Sequence, residues 1–149
     1  MLSCLSNLHN CEIIHSDVSD DNIMFRKTID GYRAVLIDCN NCCDKTKQVD
    51  EQCVKLKYEY APTDDSKWYS ESHDLFSLAI SFCVFVDCFV NKNYMYNITK
   101  ENCLITFSHR VLTEIKDPAI LKLVPLINEM LDCTISHSNQ AIFKLKSCL

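Results

Sequence analysis

Glycine is nearly missing from this sequence: the 149 residues contain one glycine, three prolines and one tryptophan. These residues therefore cannot form a glycine-rich loop of the kind that covers a phosphate group. Basic residues are also few, 15 against 20 acidic ones, and the formal net charge is −5. Because binding to a nucleic-acid backbone depends on clustered positive charge, we expect no nucleic-acid partner.

Long hydrophobic runs are also missing. The longest, residues 75–90, is interrupted by Asp87 and is shorter than the roughly 20 residues that a membrane span needs. The N-terminal segment has no basic region followed by an apolar stretch, so it does not resemble a signal peptide. We therefore expect a soluble, intracellular protein of the cytoplasm without a membrane partner. With 48% hydrophobic and 23% charged residues, the chain is typical of one globular domain over residues 1–149.

Cysteine, by contrast, is abundant, with eleven residues. Because no export signal supports a disulfide framework, we expect mostly reduced and buried thiols within apolar segments. One cluster leaves a second interpretation open, a zinc or redox site. Its members are Cys39, Cys42, Cys43 and Cys53. No second paired C-x-x-C follows, and His15 is distant in sequence, so the spacing only weakly favours zinc.

The order of hydrophobic and polar residues predicts a mainly α fold with one β-hairpin. Leucines at helical spacing predict a helix at the N-terminus, and residues 22–37 read as two strands around an Asp-Gly turn at Gly31. Residues 38–60 lose periodicity and predict a long loop. A helix that is apolar almost all round is then expected to open at Asp74. Further helices are expected at 111–115, 120–133 and 139–149.

One group of polar residues has a spacing that suggests a catalytic site. His15, Asp17 and Asn22 have the spacing H-x-D-x-x-x-x-N, and Asp38 ends the second strand of the hairpin. Phosphoryl transfer needs a carboxylate to orient the acceptor hydroxyl, and an amide with a second carboxylate to hold Mg²⁺ against the phosphates. Asp17 would be the first, while Asn22 and Asp38 would be the magnesium ligands.

Two later segments complete a family pattern. Residues 60–62, Tyr-Ala-Pro, and the segment Asp-Leu-Phe-Ser-Leu-Ala that opens at Asp74 follow the first motif in order. Together these elements resemble the C-terminal lobe of the protein kinases over essentially the whole chain. The resemblance implies that Asp74 accepts hydrogen bonds from amides near His15. It also implies that His15 packs beneath the residue after Asp38, and that Met24 lies under the adenine of ATP.

The chain also departs from the kinase pattern. Ser16 replaces the arginine that clamps a phosphorylated activation loop, and Ser19 replaces the cation that neutralises the transferring phosphoryl group. Asp38-Cys-Asn replaces Asp-Phe-Gly. Thr63 replaces a glutamate whose usual partner is an arginine, and residues 135–138 contain no arginine either. The glycine-rich loop, strand lysine and helix glutamate of the N-terminal lobe would precede residue 1, so we expect that lobe to be absent.

These departures predict a truncated kinase-like protein, or pseudokinase, that needs no cofactor alone and binds or inhibits a partner kinase or signalling protein. Truncated kinase mimics of this kind are known from viruses. The expected contact surface is the apolar top of the lobe around Ile23, Met24 and Phe25. The alternative is an active Ser/Thr protein kinase or small-molecule phosphotransferase, completed by an N-terminal lobe in trans and using Mg²⁺ and ATP. A metal or redox module on the cysteines is the third hypothesis.

Overall fold

Helices dominate the structure, a computed structural model that describes residues 1–46, 60, 69–90 and 104–149. The predicted mainly α class is confirmed. The α-helices of the described residues are α1 (Leu2–His9), α2 (Glu71–Phe85), α3 (Leu104–Glu114), α4 (Pro118–Leu121), α5 (Val124–Leu131) and α6 (Ser138–Cys148). Short 3₁₀ turns are formed by Asp20–Asn22 and Cys39–Asn41.

Two small antiparallel sheets accompany the helices in the described part of the chain. Strands β2 (Ile23–Thr28) and β3 (Gly31–Leu36) form the predicted hairpin, whose two-residue turn precedes Gly31. Gly31 has a φ of 126°, a conformation that side chains rarely adopt, which explains why the single glycine stands there. Strands β1 (Ile13–Ile14) and β4 (Cys43–Asp44) form the second sheet.

Helix α2 runs through the main core, as its nearly continuous apolar sequence predicted. It contacts α3, α5 and α6, and a π-helical turn, Val86–Val90, extends it. By length and composition, Glu71–Phe89 could cross a membrane, but 61% of the apolar window is buried inside the protein. The core helix of a globular protein gives the same pattern. Its fully buried apolar side chains include those of Leu75, Ala79, Ile80 and Cys83.

Several predicted helix boundaries are wrong. Helix α2 begins at Glu71 rather than Asp74, because the Ser70 amide donates to Nδ1 of His73 (2.9 Å) and so caps a polar first turn. The single helix predicted over 120–133 is two, α4 and α5. Pro125 lies in the first turn of α5, where a proline is favoured because its nitrogen carries no hydrogen to donate. Helix α3 extends from 104, well before the predicted start at 111.

The predicted loop over 38–60 is partly structured. Its first part forms the 3₁₀ turn and strand β4, which pairs with β1 in the register Ile13 to Asp44 and Ile14 to Cys43. Sequence periodicity missed this pairing because each strand has only two residues. Residues 47–59 lie outside the described part of the chain.

Candidate functional site

Asp74 lies at the centre of the site, in the first turn of α2. It is 1% exposed. Its carboxylate accepts hydrogen bonds from the backbone amides of His15 (2.8 Å) and Ser16 (2.9 Å). Such a carboxylate fixes the segment that carries the H-x-D motif, because each amide would otherwise be left without a partner in the interior. This geometry matches what the kinase resemblance implied for Asp74.

The carboxylate of Asp74 belongs to a larger buried network that the sequence did not reveal. Nε2 of His9 lies 2.9 Å from Asp74, and Nδ1 of His9 lies 3.2 Å from the carboxylate of Glu71. Glu71 also accepts hydrogen bonds from the amide (2.9 Å) and hydroxyl (3.2 Å) of Ser138, the first residue of α6. A histidine at the end of α1 thus joins two acids of α2. One of these acids continues the network to α6.

The charge state of Glu71 follows from these contacts. Burial alone would raise the pKa of its carboxyl group. The hydrogen bonds from Ser138 and His137, together with the positive charge that His9 can carry, outweigh that effect and lower the pKa below its ordinary value. Lys45 lies 3.6 Å from the same carboxylate. Glu71 therefore stays ionised and acts as an acceptor that ties α1, α2 and α6 together.

Asp17 and Asn22 come together within the segment that carries the H-x-D motif, residues 15–22, called the motif segment below. The side-chain amide of Asn22 donates to the backbone carbonyl of Asp17 (2.9 Å), and the 3₁₀ turn Asp20–Asn22 brings the two close. The carboxylate of Asp17 accepts a hydrogen bond from the side-chain amide of Asn41 (3.2 Å). Both Asp17 and Asn22 are buried. Their polar groups thus have local structural partners.

Asp38 occupies a different environment. Its side chain is exposed and accepts a hydrogen bond from the amide of Asn40 (3.3 Å). Its φ of 62° lies in the left-handed region, and Ser16 has a similar φ of 66°. Non-glycine residues in this region cost about 1–3 kcal/mol each and are frequent at functional sites. Two of the four non-glycine residues with positive φ in the described part of the chain therefore flank the candidate site.

The hairpin divides the three residues predicted as a partner surface. Met24 is 56% exposed, whereas Ile23 is 7% exposed and belongs to the main core, so Ile23 is not part of an exposed surface. Phe25 is 58% exposed and contacts Phe85 edge to face, with ring centroids 5.8 Å apart. Because successive side chains of a strand alternate in direction, Met24 and Phe25 lie on opposite faces of the hairpin.

An apolar pocket of about 240 Å³ opens beneath the hairpin. Its lining comes from the hairpin and from α1, α2, α5 and α6. Ile23 and Phe25 contribute from the hairpin, and Leu78, Phe82 and Phe85 from α2. Met24, predicted to lie under an adenine, is not among the lining residues. This pocket therefore belongs to the packing of the hairpin on the helices.

Only Tyr60 of the predicted Tyr-Ala-Pro element lies within the described residues. Its hydroxyl donates to the carboxylate of Asp20, and its carbonyl accepts a hydrogen bond from the hydroxyl of Ser77 (2.6 Å). These contacts join the end of the predicted loop to the motif segment and to α2. Residues 61–68, including Thr63, lie outside the described part of the chain.

The cysteines group differently from the predicted cluster. His15, Cys39 and Cys42 bring one possible ligand atom each within 4.8 Å of one another. Cys43 is not in this group, and its sulfur lies 2.9 Å from the Ser16 hydroxyl. Cys53 lies outside the described residues. Burial and the neighbouring Cys39 raise the pKa of the Cys42 thiol to about 12, so without a ligand it is a poor nucleophile.

Neither the models of known protein families nor the curated proteins match this chain.

Proposed function

We propose that this chain is a kinase-like C-terminal lobe that acts by binding a protein partner, a kinase or a signalling regulator, and does not transfer phosphate alone. The observation that carries the proposal is that the carboxylate of Asp74 accepts hydrogen bonds from the backbone amides of His15 and Ser16. The H-x-D motif, its following asparagine and the acid in the first turn of the long apolar helix thus lie close together. That combination favours the kinase-like interpretation over an unrelated helical domain.

The weakness of the catalytic electrostatics supports binding over chemistry. Transfer of a phosphoryl group is accelerated mainly by cations and donors placed around the transferring phosphate. Ser19 stands at the position of one such cation, and Ser16 stands at another basic position of the family pattern. Asp17 and Asn22 remain, but their described contacts are with Asn41 and with each other, which suffices to explain them as structural groups.

The hairpin supplies exposed apolar side chains that suit a protein partner. Exposed apolar residues that cluster mark interaction sites more often than isolated ones do. Phe25 and Tyr32 are 58% and 75% exposed and lie on the same face of the hairpin. Met24 is 56% exposed and lies on the other face, which it shares with Arg26 and Arg33. In the kinase-like interpretation, the face of Met24 meets another lobe, and a partner protein that covers Met24 would bury that face.

Calorimetry of the purified chain with Mg²⁺ and ATP tests the absence of autonomous activity. We expect no binding heat up to millimolar nucleotide, and no phosphate transferred to a generic protein substrate. An Asp17→Asn variant is the matched control, because it removes the candidate catalytic charge and should behave like the wild type. A micromolar dissociation constant for ATP, or transfer that Asp17→Asn abolishes, would replace the proposal with the phosphotransferase alternative.

Titration of the chain into assays of Ser/Thr protein kinases tests the binding function. We expect the chain to bind and inhibit at least one kinase at micromolar concentration. The inhibition should come from binding, so the kinase should not phosphorylate the chain as a competing substrate. If no kinase responds across a broad panel, the partner is not a kinase and that part of the proposal fails.

A further inference from the structure

The imidazole of His15 is buried without a polar partner among the described residues. It is 0% exposed, and within the described part of the chain neither ring nitrogen has a hydrogen-bond partner, although the backbone amide of the same residue donates to Asp74. A buried polar atom without a partner costs about 1–3 kcal/mol. Such groups are rare, and a bound ion is one of the few arrangements that accounts for them.

Two thiols face this imidazole. Cys39 and Cys42 have the spacing C-x-x-C across the 3₁₀ turn Cys39–Asn41, and the amide of Cys42 donates to the carbonyl of Cys39 (3.1 Å). This turn directs both sulfur atoms to the same side. The two sulfurs and one ring nitrogen of His15 all lie within 4.8 Å of one another. A C-x-x-C turn with a histidine from elsewhere in the chain is a common ligand set for zinc.

We propose that His15, Cys39 and Cys42 form a zinc-binding site. Two thiolates and one imidazole suit Zn²⁺, whereas Mg²⁺ prefers carboxylate, carbonyl and water oxygens. Bond lengths near 2.0–2.3 Å in a tetrahedral site place ligand atoms about 3.5–3.8 Å apart, so the cluster, whose atoms lie within 4.8 Å of one another, closes by at most about 1.3 Å. Cys39 is exposed and can move inward to complete it. The fourth position is open to water or to another donor.

The zinc site would have a structural role that is independent of the proposed partner binding. Zn²⁺ would fasten the 3₁₀ turn to the motif segment. Asn41 lies on that turn and donates to the carboxylate of Asp17, and Asp38 immediately precedes it. The metal would therefore fix the relative positions of Asp17 and Asp38. It would also give the buried imidazole of His15 the partner that it lacks.

Cobalt substitution tests the site directly. The full chain is reduced, stripped with a chelator and titrated with Co²⁺, then with Zn²⁺. We expect one Co²⁺ per chain, with the intense visible bands of a tetrahedral ion and a thiolate-to-cobalt charge-transfer band, both of which Zn²⁺ abolishes. Absence of stoichiometric tetrahedral Co²⁺ would overturn the site. So would a Cys39–Cys42 disulfide that persists under reductant, since it would indicate a redox pair.

Matched variants identify the ligands. Cys39→Ser alters an exposed residue and should lower metal affinity at least about 100-fold, more than loss of a group that only orients a ligand. Cys11→Ser also removes an exposed thiol, but one outside the cluster, and should bind metal like the wild type. Equal affinity for Cys39→Ser and the wild type would overturn the proposal.

His15→Phe keeps a ring of similar size in the buried site and removes both nitrogen atoms. We expect the metal-free variant to be at least as stable as the metal-free wild type, because the unpartnered nitrogens are gone, while the tetrahedral Co²⁺ spectrum is lost. If His15→Phe folds and still gives that spectrum with one Co²⁺ per chain, His15 is not a ligand and the proposed site is wrong.

Discussion

Two groups of residues around the motif segment, residues 15–22, differ sharply in how their acidic side chains are held. The first group, called the lower side here, consists of Asp74 and Glu71 of α2, which are buried and each have several donors within hydrogen-bond distance. The second group, called the upper side, consists of Asp38 and the neighbouring hairpin; Asp38 is exposed and accepts one amide hydrogen bond among the described residues, and the hairpin carries exposed apolar side chains. The difference indicates that the acids of the lower side stabilise the fold, while the upper side is available for contact.

Glu71 also holds the beginning of α6. Its carboxylate accepts a hydrogen bond from the amide of Ser138, the first residue of that helix, where the free amides of the helix and its dipole favour a negative charge. The segment 135–138 contains no arginine, so a carboxylate from α2 and not a cation of that segment connects the two helices.

Among the variants, Asp74→Ala should change the free energy of unfolding most and so tests the structural role of the lower side. The substitution leaves the amides of His15 and Ser16, and Nε2 of His9, without their shared acceptor. Since each unsatisfied buried group costs about 1–3 kcal/mol, we expect a loss of about 3 kcal/mol or more in the free energy of unfolding. Urea denaturation followed by circular dichroism measures this loss.

Asp17→Ala is the control for Asp74→Ala, because it removes an equally short acid from the motif segment itself. The side-chain amide of Asn41 donates to Asp17 at 3.2 Å, a longer contact than the backbone hydrogen bonds that Asp74 accepts, so we expect a smaller loss, about 1 kcal/mol. If Asp17→Ala destabilises the protein more than Asp74→Ala does, the principal structural role assigned to Asp74 is wrong.

Glu71→Gln tests the second acid of the lower side. Glutamine keeps one acceptor for Ser138 but loses the charge, and its NH₂ group is a poor match for the donors around it. We expect the free energy of unfolding to fall by about 1–2 kcal/mol. Glu114→Gln on α3 is a matched control, because its carboxylate pairs with Arg110 in an exposed i, i+4 pair and such pairs contribute little. Equal losses for the two variants would contradict the assigned role of Glu71.

The same acid predicts a dependence of stability on pH. The pKa of Glu71 is lower in the folded protein than its ordinary value of 4.5, so the unfolded chain binds the proton more readily. The contribution of Glu71 to stability is therefore complete above pH 4.5 and is lost as the pH falls through the lower, folded pKa. Because His9, His137 and Lys45 also face Glu71, the quantity to measure is the difference between the wild type and Glu71→Gln. That difference should shrink on acidification, and a constant difference would contradict the prediction.

What the sequence predicted and what it missed differ in their range along the chain. The hairpin depends on a turn at Gly31 and on alternation within a few residues, and α2 depends on one apolar run, so both were predictable. The network of His9, Glu71 and Ser138 joins residues more than 60 positions apart, and no local pattern marks its members. His15 and Cys39 are 24 positions apart, and although C-x-x-C is a local pattern, nothing in the sequence pairs it with His15. Tertiary packing alone brings such residues together.

Helix boundaries failed for a more local reason. The first turn of α2 is polar, Glu-Ser-His-Asp, and periodicity places a helix only where apolar residues begin. The available signal was Ser70, since three residues later His73 has a side chain that can accept a hydrogen bond from the Ser70 amide. Pro125 was a second signal, since a proline favours the first turn of a helix over its interior.

The smallest effect on stability is expected for Met24→Asp, which tests the upper side. Met24 is exposed and pairs across the hairpin with Val35, so an aspartate there remains hydrated and should change the melting temperature little. An aspartate in place of a contacting apolar side chain would have to be desolvated on binding, so we expect the affinity for the proposed partner to fall at least about tenfold. Phe25→Asp is the comparison on the opposite face of the hairpin. Because Phe25 packs on Phe85, Phe25→Asp should lower the stability of the fold, unlike Met24→Asp. Full affinity in a folded Met24→Asp variant would place the partner elsewhere, and the upper side would then be exposed without being a contact surface.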